Sequence, residues 1–82
     1  MPQFEIRLFA IAREAAGQDR IVIDSVSEPT VSELLDEICQ RIPDVAPLLP
    51  SCRLAVNGAY ADPASIVPFD SDVALIPPVS GG

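Results

Sequence analysis

"TVSELLDEICQRI" (residues 30–42) is the stretch that decides the fold, because it has the period of a helix with one apolar face. Thr30 and Glu33 form a capping box, in which each side chain can accept the other residue's backbone N–H. Pro43 ends the helix, because proline has no N–H to donate and its ring clashes with the preceding turn. The apolar positions are Val31, Leu34, Leu35, Ile38 and Ile42, and the polar positions opposite them are Asp36, Glu37 and Arg41.

Segments with a two-residue period lie on both sides of this helix and predict a sheet. "QFEIRLF" (3–9) alternates cleanly, so that Phe4, Ile6 and Leu8 share one face and Phe9 falls on the polar face. Asn57-Gly58 predicts a tight hairpin, because both residues tolerate the positive φ of a type I′ turn. The predicted strands are 3–9, 20–26, 52–57, 59–61 and 73–76.

Two further segments complete the chain. "AIAREAA" (10–16) consists of good helix formers followed by Gly17, which predicts one or two helical turns with a glycine stop. "DVAPLLP" (44–50) is a proline-punctuated connection with room for one tight turn. Four to five strands and one main helix bury their apolar faces best as a mixed sheet with the helix across it, an α+β fold. We expect one domain over residues 1–76 and a tail over residues 77–82.

The composition restricts the class of partner. Twelve acidic residues against five arginines give a formal charge of −7, and the chain has no lysine and no histidine. Nucleic acids and anionic membranes reward positive charge, so neither is expected as a partner. An enzyme with a basic docking surface suits this charge better. The opening "MPQFEIRLFA" has neither the basic leader nor the long apolar run of a secretory signal, so we expect a cytoplasmic location.

The two cysteines, Cys39 and Cys52, lie thirteen positions apart in a chain without histidine. A zinc site needs more ligands at closer spacing, and no metal site is expected. A disulfide is not expected in a cytoplasmic chain. Free cysteine is often buried, so both residues are interpreted as packing residues.

The last six residues, "PPVSGG" (77–82), have no evident role in folding. Pro77 and Pro78 favour an extended exit from the last strand, and Gly81 and Gly82 have no side chains to pack. Six residues at about 3.3–3.6 Å each can carry the terminal carboxylate roughly 20 Å from the domain. No side chain from Val73 onwards is charged. A slender, neutral, extended arm is typical of a segment that enters a narrow site on another protein.

These segments together resemble the small, sulfur carrier subunit of molybdopterin synthase, a ubiquitin-like β-grasp family. The similarity is carried by "LFAIAREAAG" (8–17), "TVSELL" (30–35), "AVNG" (55–58) and "DSDVALIPPVSGG" (70–82), in one register from end to end. One position departs from the pattern. The family usually has glycine within an Asp-Gly-Asp turn, where this chain has Ser71, and a positive φ at that position would cost serine more than glycine.

The resemblance implies a function for the tail. An ATP-dependent activating enzyme would adenylate Gly82, a sulfur donor protein would convert the adenylate to a thiocarboxylate, and the large subunit would use that sulfur on a pterin precursor. Gly81 would let the backbone pass, and Pro77, Pro78, Val79 and Ser80 would form the inserted stem. The catalytic groups would lie on the large subunit. Two small subunits would join a dimer of large subunits as a heterotetramer, and this chain would bind no cofactor of its own.

A docking surface can also be predicted from strand alternation. Phe9 and Ile76 point to the face opposite the core, and Tyr60 lies on a short neighbouring strand. Exposed apolar residues on adjacent strands indicate an interface. The alternative is that they are isolated apolar residues, which are common on protein surfaces.

Three other functions remain open. A sulfur carrier for thiamine or tRNA thiolation would share the fold, although the thiamine carrier is usually shorter and lacks a segment like residues 10–17. A ubiquitin-like modifier would be joined through Gly82 to lysines of other proteins, although ubiquitin has arginines before its Gly-Gly and this tail has none. A β-grasp interaction module with an inert end would keep its function when Gly81 and Gly82 are deleted.

Overall fold

The computed structural model describes residues 3–77. Two α-helices, five strands and one 3-10 segment follow one another within these residues. The strands are β1 (Gln3–Leu8), β2 (Arg20–Asp24), β3 (Arg53–Val56), β4 (Ala59–Tyr60) and β5 (Val73–Ile76). The helices are α1 (Ala10–Ala16) and α2 (Val31–Arg41), and the 3-10 segment covers Pro43–Ser51. Every predicted strand and both predicted helices are therefore present, with ends that differ by one or two residues.

The five strands form one mixed sheet in the order β2-β1-β5-β3-β4. β1 and β5 run parallel at the centre, and the other neighbours are antiparallel. The apolar face of α2 joins the buried face of the sheet in a single core, which confirms the predicted α+β architecture. The core residues on the sheet include Phe4, Ile6, Leu8, Ile21, Ile23, Leu54, Val73 and Leu75, and those on α2 are Val31, Leu34 and Ile38.

The start of α2 has the capping box that the sequence predicts. The Thr30 hydroxyl accepts the Glu33 N–H at 3.1 Å, and the Glu33 carboxylate accepts the Thr30 N–H at 2.8 Å. Two N–H groups at the helix start, which have no partner within the helix, are satisfied in this way. The last turn contains Arg41, paired with Glu37 at 3.3 Å. Arg41 is favourable there because its charge opposes the negative end of the helix dipole.

The Asn57-Gly58 turn is also confirmed. Asn57 has φ 53° and Gly58 has φ 85°, the two positive values that a type I′ turn requires. Asn57 has a second role, because its side-chain oxygen accepts the Asp72 N–H at 2.9 Å while its own N–H donates to the Asp72 carbonyl at 2.7 Å. These two bonds tie the β3–β4 hairpin to the residue that precedes β5.

The connection after α2 is more regular than predicted. A nine-residue 3-10 segment, Pro43–Ser51, replaces the single tight turn expected over residues 44–50. Pro43 stands at its start, and Pro47 and Pro50 lie inside it. Proline fixes φ near −65°, which suits 3-10 backbone, and Val45 is fully buried against the core. Burial of one side of the connection holds it in regular turns.

The concern about Ser71 is wrong, because the left-handed residue in this turn is its neighbour. Asp70 has φ 65°, and Ser71 is not among the residues with positive φ. Aspartate tolerates this backbone region better than most residues. The Ser71 hydroxyl donates to the Pro68 carbonyl at 2.6 Å, a contact that glycine cannot make. The turn is therefore compatible with serine.

The predicted stem and carrier residues Pro78, Val79, Ser80, Gly81 and Gly82 lie outside the described residues, so the tail remains a prediction. Pro77 is described and is half-buried. Over the part of the chain that the structure describes, no helix has the length and apolar character needed to cross a bilayer.

Candidate docking groove

The outer face of the sheet, opposite α2, has its smallest side chains at the centre. The pairing register places Arg7 beside Ala74, Ala74 beside Ala55, and Ala55 beside Tyr60, in one row across β1, β5, β3 and β4. Residues that are opposite one another in a sheet share a face, so these four side chains project on the same side. Two alanines between larger neighbours leave a depression above the centre of the sheet.

This depression is a groove of about 320 Å³. Phe9 and Tyr60 are 40% and 63% exposed, which leaves much of their rings available for contact with a partner. Ala74 is only 7% exposed and lies at the floor. The three residues predicted to form a docking surface, Phe9, Tyr60 and Ile76, all line this groove. The full lining consists of Arg7, Phe9, Ala55, Gly58, Tyr60, Asp72, Ala74 and Ile76.

An arginine lies against each of the two aromatic rings of the groove. Arg7 bonds to Asp72 at 2.8 Å and its guanidinium lies 5.7 Å from the centre of the Phe9 ring. Arg53 lies 5.4 Å from the centre of the Tyr60 ring. Contacts of this kind hold aromatic rings in place at a modest gain in free energy. The Arg7–Asp72 pair is half-exposed, so its contribution to stability is small and its main effect is to position the two side chains.

Arg53 differs from Arg7 in its surroundings. Within residues 3–77 it has no carboxylate within ion-pair distance, whereas Arg7 and Arg41 each have one and Arg20 has two. Its backbone is paired with Ile76, the last residue of β5. A positive charge is therefore available beside the point where the chain leaves the sheet, on a protein that is otherwise strongly acidic.

Sequence reasoning did not identify Arg7, Arg53, Asp72 or the two alanines as part of the site. Alternation places Arg7 and Arg53 on the outer face, but it does not show that β5 lies between their strands. Ala55 and Ala74 carry no chemical signal of their own. They matter only because the register aligns them.

The cysteines are consistent with structural roles. Both are free and half-buried, and Cys52 packs against the core. Burial raises the pKa of the Cys52 thiol, so it is a weaker nucleophile than an exposed cysteine. Cys39 lies on α2 outside the core cluster, so the interpretation as a packing residue fits it less well. No three histidine, cysteine or carboxylate side chains among residues 3–77 come together as a metal site.

The groove and the strand order define a class of protein, a ubiquitin-like β-grasp domain whose central strand leads directly into the C-terminal tail. SAMP1 from Haloferax volcanii, a small archaeal modifier protein, has the same fold. It is 27% identical, with a TM-score of 0.85 over 98% of this chain and 99% of that one. The chain belongs to the ThiS family, whose model matches residues 6–82. The family resemblance predicted from the sequence is confirmed.

One relative and one solved complex similar to this chain have names that refer to molybdopterin. The molybdopterin synthase sulfur carrier subunit of Dictyostelium discoideum is 37% identical, over 98% of this chain and 96% of the relative. A structure from Helicobacter pylori contains subunits 1 and 2 of molybdopterin-converting factor as a complex. The matching chain there is 23% identical with a TM-score of 0.69, over 98% of this chain and 99% of that one, a likeness of fold.

Proposed function

We propose that this chain is the sulfur carrier subunit of a molybdopterin synthase, with Gly82 as the residue that carries the sulfur. The observation that supports it most is that the family match extends through Gly82, while β5 passes under the groove and ends one residue before Pro77. The strand at the floor of the groove is thus followed directly by the residues proposed to carry the sulfur. The name of the Dictyostelium relative gives the pathway.

The chemistry of the terminus requires activation by another protein. A terminal carboxylate has a pKa of about 3.3–3.7, so it is ionised in a cell and is a poor electrophile. An activating enzyme joins it to the α-phosphate of ATP, with release of pyrophosphate. Hydrosulfide supplied by a donor protein then attacks the acyl carbon, the bond to AMP breaks and AMP leaves, and a thiocarboxylate remains on Gly82. The chain itself binds no cofactor in this scheme, and ATP is a substrate of the activating enzyme.

Sulfur transfer also depends on groups from elsewhere. The chain has no histidine or lysine. The catalytic groups for the pterin precursor are therefore assigned to the large subunit, and Pro77, Pro78, Val79, Ser80 and Gly81 to the stem that enters it.

The groove is the surface proposed to hold the large subunit. An apolar side chain of the partner fits above Ala55 and Ala74, between Phe9 and Tyr60. Arg53 can receive a partner carboxylate at one side. The chain as a whole has a net charge of −7, which favours a partner that is basic around this contact. Two such pairs would give the heterotetramer that the sequence resemblance implies.

The proposal is tested by transfer from a loaded tail. The chain is prepared with a C-terminal thiocarboxylate by cleaving an intein fusion with sulfide, and is mixed with a molybdopterin synthase large subunit and the pterin precursor. We expect dithiolene product and return of Gly82 to the carboxylate, a mass loss of about 16 Da. A matched chain with an unmodified carboxylate serves as control. No product, in an assay where the large subunit's own small subunit works, would contradict the proposal.

A second candidate is a protein modifier, which the likeness to SAMP1 favours. It shares the adenylation of Gly82 but ends with an amide bond to a lysine of another protein. The two functions are separated by incubating the chain with an activating enzyme, ATP and cell extract. A modifier gives higher-mass conjugates that disappear when Gly82 is deleted, whereas a dedicated sulfur carrier gives a thiocarboxylate without conjugates.

A further inference from the structure

The edge strand β2 has a regular set of backbone groups that point away from the sheet. β2 lies at one edge of the sheet and pairs only with β1 among residues 3–77. The Leu8 N–H donates to the Asp19 carbonyl at 2.8 Å, which makes these two residues a hydrogen-bonded pair. Such pairs alternate along an antiparallel ladder, so residues 21 and 23 face β1. Arg20, Val22 and Asp24 therefore direct their N–H and C=O groups outward.

The side chains of these three residues are complementary to the same three side chains on a second, antiparallel copy of the strand. "RIVID" (20–24) has a positive charge at one end, a negative charge at the other and valine at the centre. Arg20, Val22 and Asp24 share the outer face, and Val22 is 43% exposed. When two copies of the strand are placed antiparallel about Val22, Arg20 of each copy lies opposite Asp24 of the other. Opposite charges across a strand pair are stabilising.

We propose that β2 pairs with β2 of a second copy of this chain, joining the two five-stranded sheets into one of ten strands. Three residue pairs exchange two backbone bonds each, six bonds in all, and Val22 packs on Val22 of the second copy. The occupant is a second copy because the charge pattern of the edge fits its own reverse. A strand of another protein would need to reproduce that pattern.

The Asp24 carboxylate is available to pair with Arg20 of a second copy, since no arginine lies within ion-pair distance of it among residues 3–77. Arg20 already contacts Glu5 at 3.2 Å and Asp19 at 3.7 Å, so it would sit between those carboxylates and Asp24 of the second copy. The negative charges beside Asp24 on the helix side, including Asp36 and Glu37, lie next to the Arg20 end of the second copy. The antiparallel arrangement keeps the two acidic regions apart.

The pairing is weak, because the strand is short and each copy has a net charge of −7. A contact of this size belongs to the smallest class of protein interfaces, and we expect a dissociation constant on the order of 0.1–1 mM. β2 is not among the strands that line the groove, so the dimer leaves the groove open. This inference does not depend on the proposed sulfur carrier function.

Backbone amide spectra measured from about 0.02 to 2 mM protein test the pairing at the residues involved. The amides of Arg20, Val22 and Asp24 should shift and become protected from exchange as concentration rises. The amides of Ile21 and Ile23 should be protected at every concentration, because they already pair with β1. Sedimentation equilibrium over the same range should show a dimer. A monomer throughout, or concentration-dependent shifts confined to the groove, would overturn the proposal.

Variants separate pairing from folding. Val22→Pro removes an N–H that points away from β1, so it should abolish the dimer and keep the fold. Arg20→Asp and Asp24→Arg should each weaken the dimer roughly tenfold, and the double variant should restore it. Arg41→Asp makes the same change in charge as Arg20→Asp on α2, and should leave dimerisation within about twofold. A double variant that dimerises no better than the single ones would contradict the proposal.

Discussion

Ala10 has the least favourable backbone for its residue type in the described chain. Its φ of 49° lies in the left-handed region, at the turn where β1 passes into α1. Every residue other than glycine pays for this conformation with a contact between Cβ and the backbone. Ala10→Gly should therefore raise the free energy of unfolding by about 0.5–1 kcal/mol, measured by urea denaturation.

Ala12 provides the matched control for this prediction. It lies in the same helix and is fully buried. Ala12→Gly should lower stability by about 0.5–1 kcal/mol or more, because glycine adds entropy to the unfolded chain and removes a packed methyl. Equal losses for both variants would show that Ala10 is not strained.

Asp70 shows the limit of residue-level prediction. The family comparison draws attention to Ser71, which stands where glycine is usual, but the positive φ belongs to Asp70. Both residues are common in turns, and local sequence does not say which of two neighbours takes the left-handed position. Hydrogen bonds decide it here, since the Ser71 hydroxyl is held by the Pro68 carbonyl.

At the scale of elements, the start of α2 depends on one side chain. Thr30→Ala removes the hydroxyl that accepts the Glu33 N–H. We expect a loss of about 1 kcal/mol in the free energy of unfolding, seen as a lower urea midpoint with an unchanged slope. Ser32→Ala is the control, because Ser32 is exposed within the helix and alanine has the higher helix propensity. A Thr30→Ala variant as stable as Ser32→Ala would contradict the capping role.

The elements that sequence predicted correctly are those that local patterns specify. α2 has its period and its cap within thirteen residues, and the Asn57-Gly58 turn needs only two. The sequence predicted only a single tight turn where the structure has the 3-10 segment. The regularity of this segment depends on burial of Val45 by distant residues, which local sequence does not show. The parallel pairing of β1 with β5 joins residues more than sixty positions apart, and no local pattern encodes it.

At the scale of the whole molecule, that pairing creates the groove. Strand alternation predicted that Phe9 and Ile76 face away from the core, and both line the groove together with Tyr60. Their role in binding a partner stays a prediction. The alanine floor and the arginine–ring contacts depend on which strands are neighbours, and they became visible only in the fold. The tail residues Pro78–Gly82 were identified from sequence alone, and their roles remain predictions.

The groove gives a direct prediction for docking. Ala74→Arg places a long charged side chain over the floor and should weaken binding to the large subunit at least about tenfold, since a filled pocket excludes the partner's anchor. Val22→Arg introduces the same side chain on the outer face of β2, outside the groove, and should bind nearly as well as the unmodified chain. Titration calorimetry measures both. Similar affinities for the two variants would place the interface elsewhere.

Activation of Gly82 is the step on which the proposed function depends. The most direct measurement is the intact mass of the chain after incubation with a molybdopterin-type activating enzyme, ATP and sulfide. Replacement of one terminal oxygen by sulfur should add about 16 Da, and the gain should be absent when Gly82 is deleted. An unchanged mass, under conditions in which the enzyme loads its own carrier, would contradict the assignment of Gly82 as the sulfur-carrying residue.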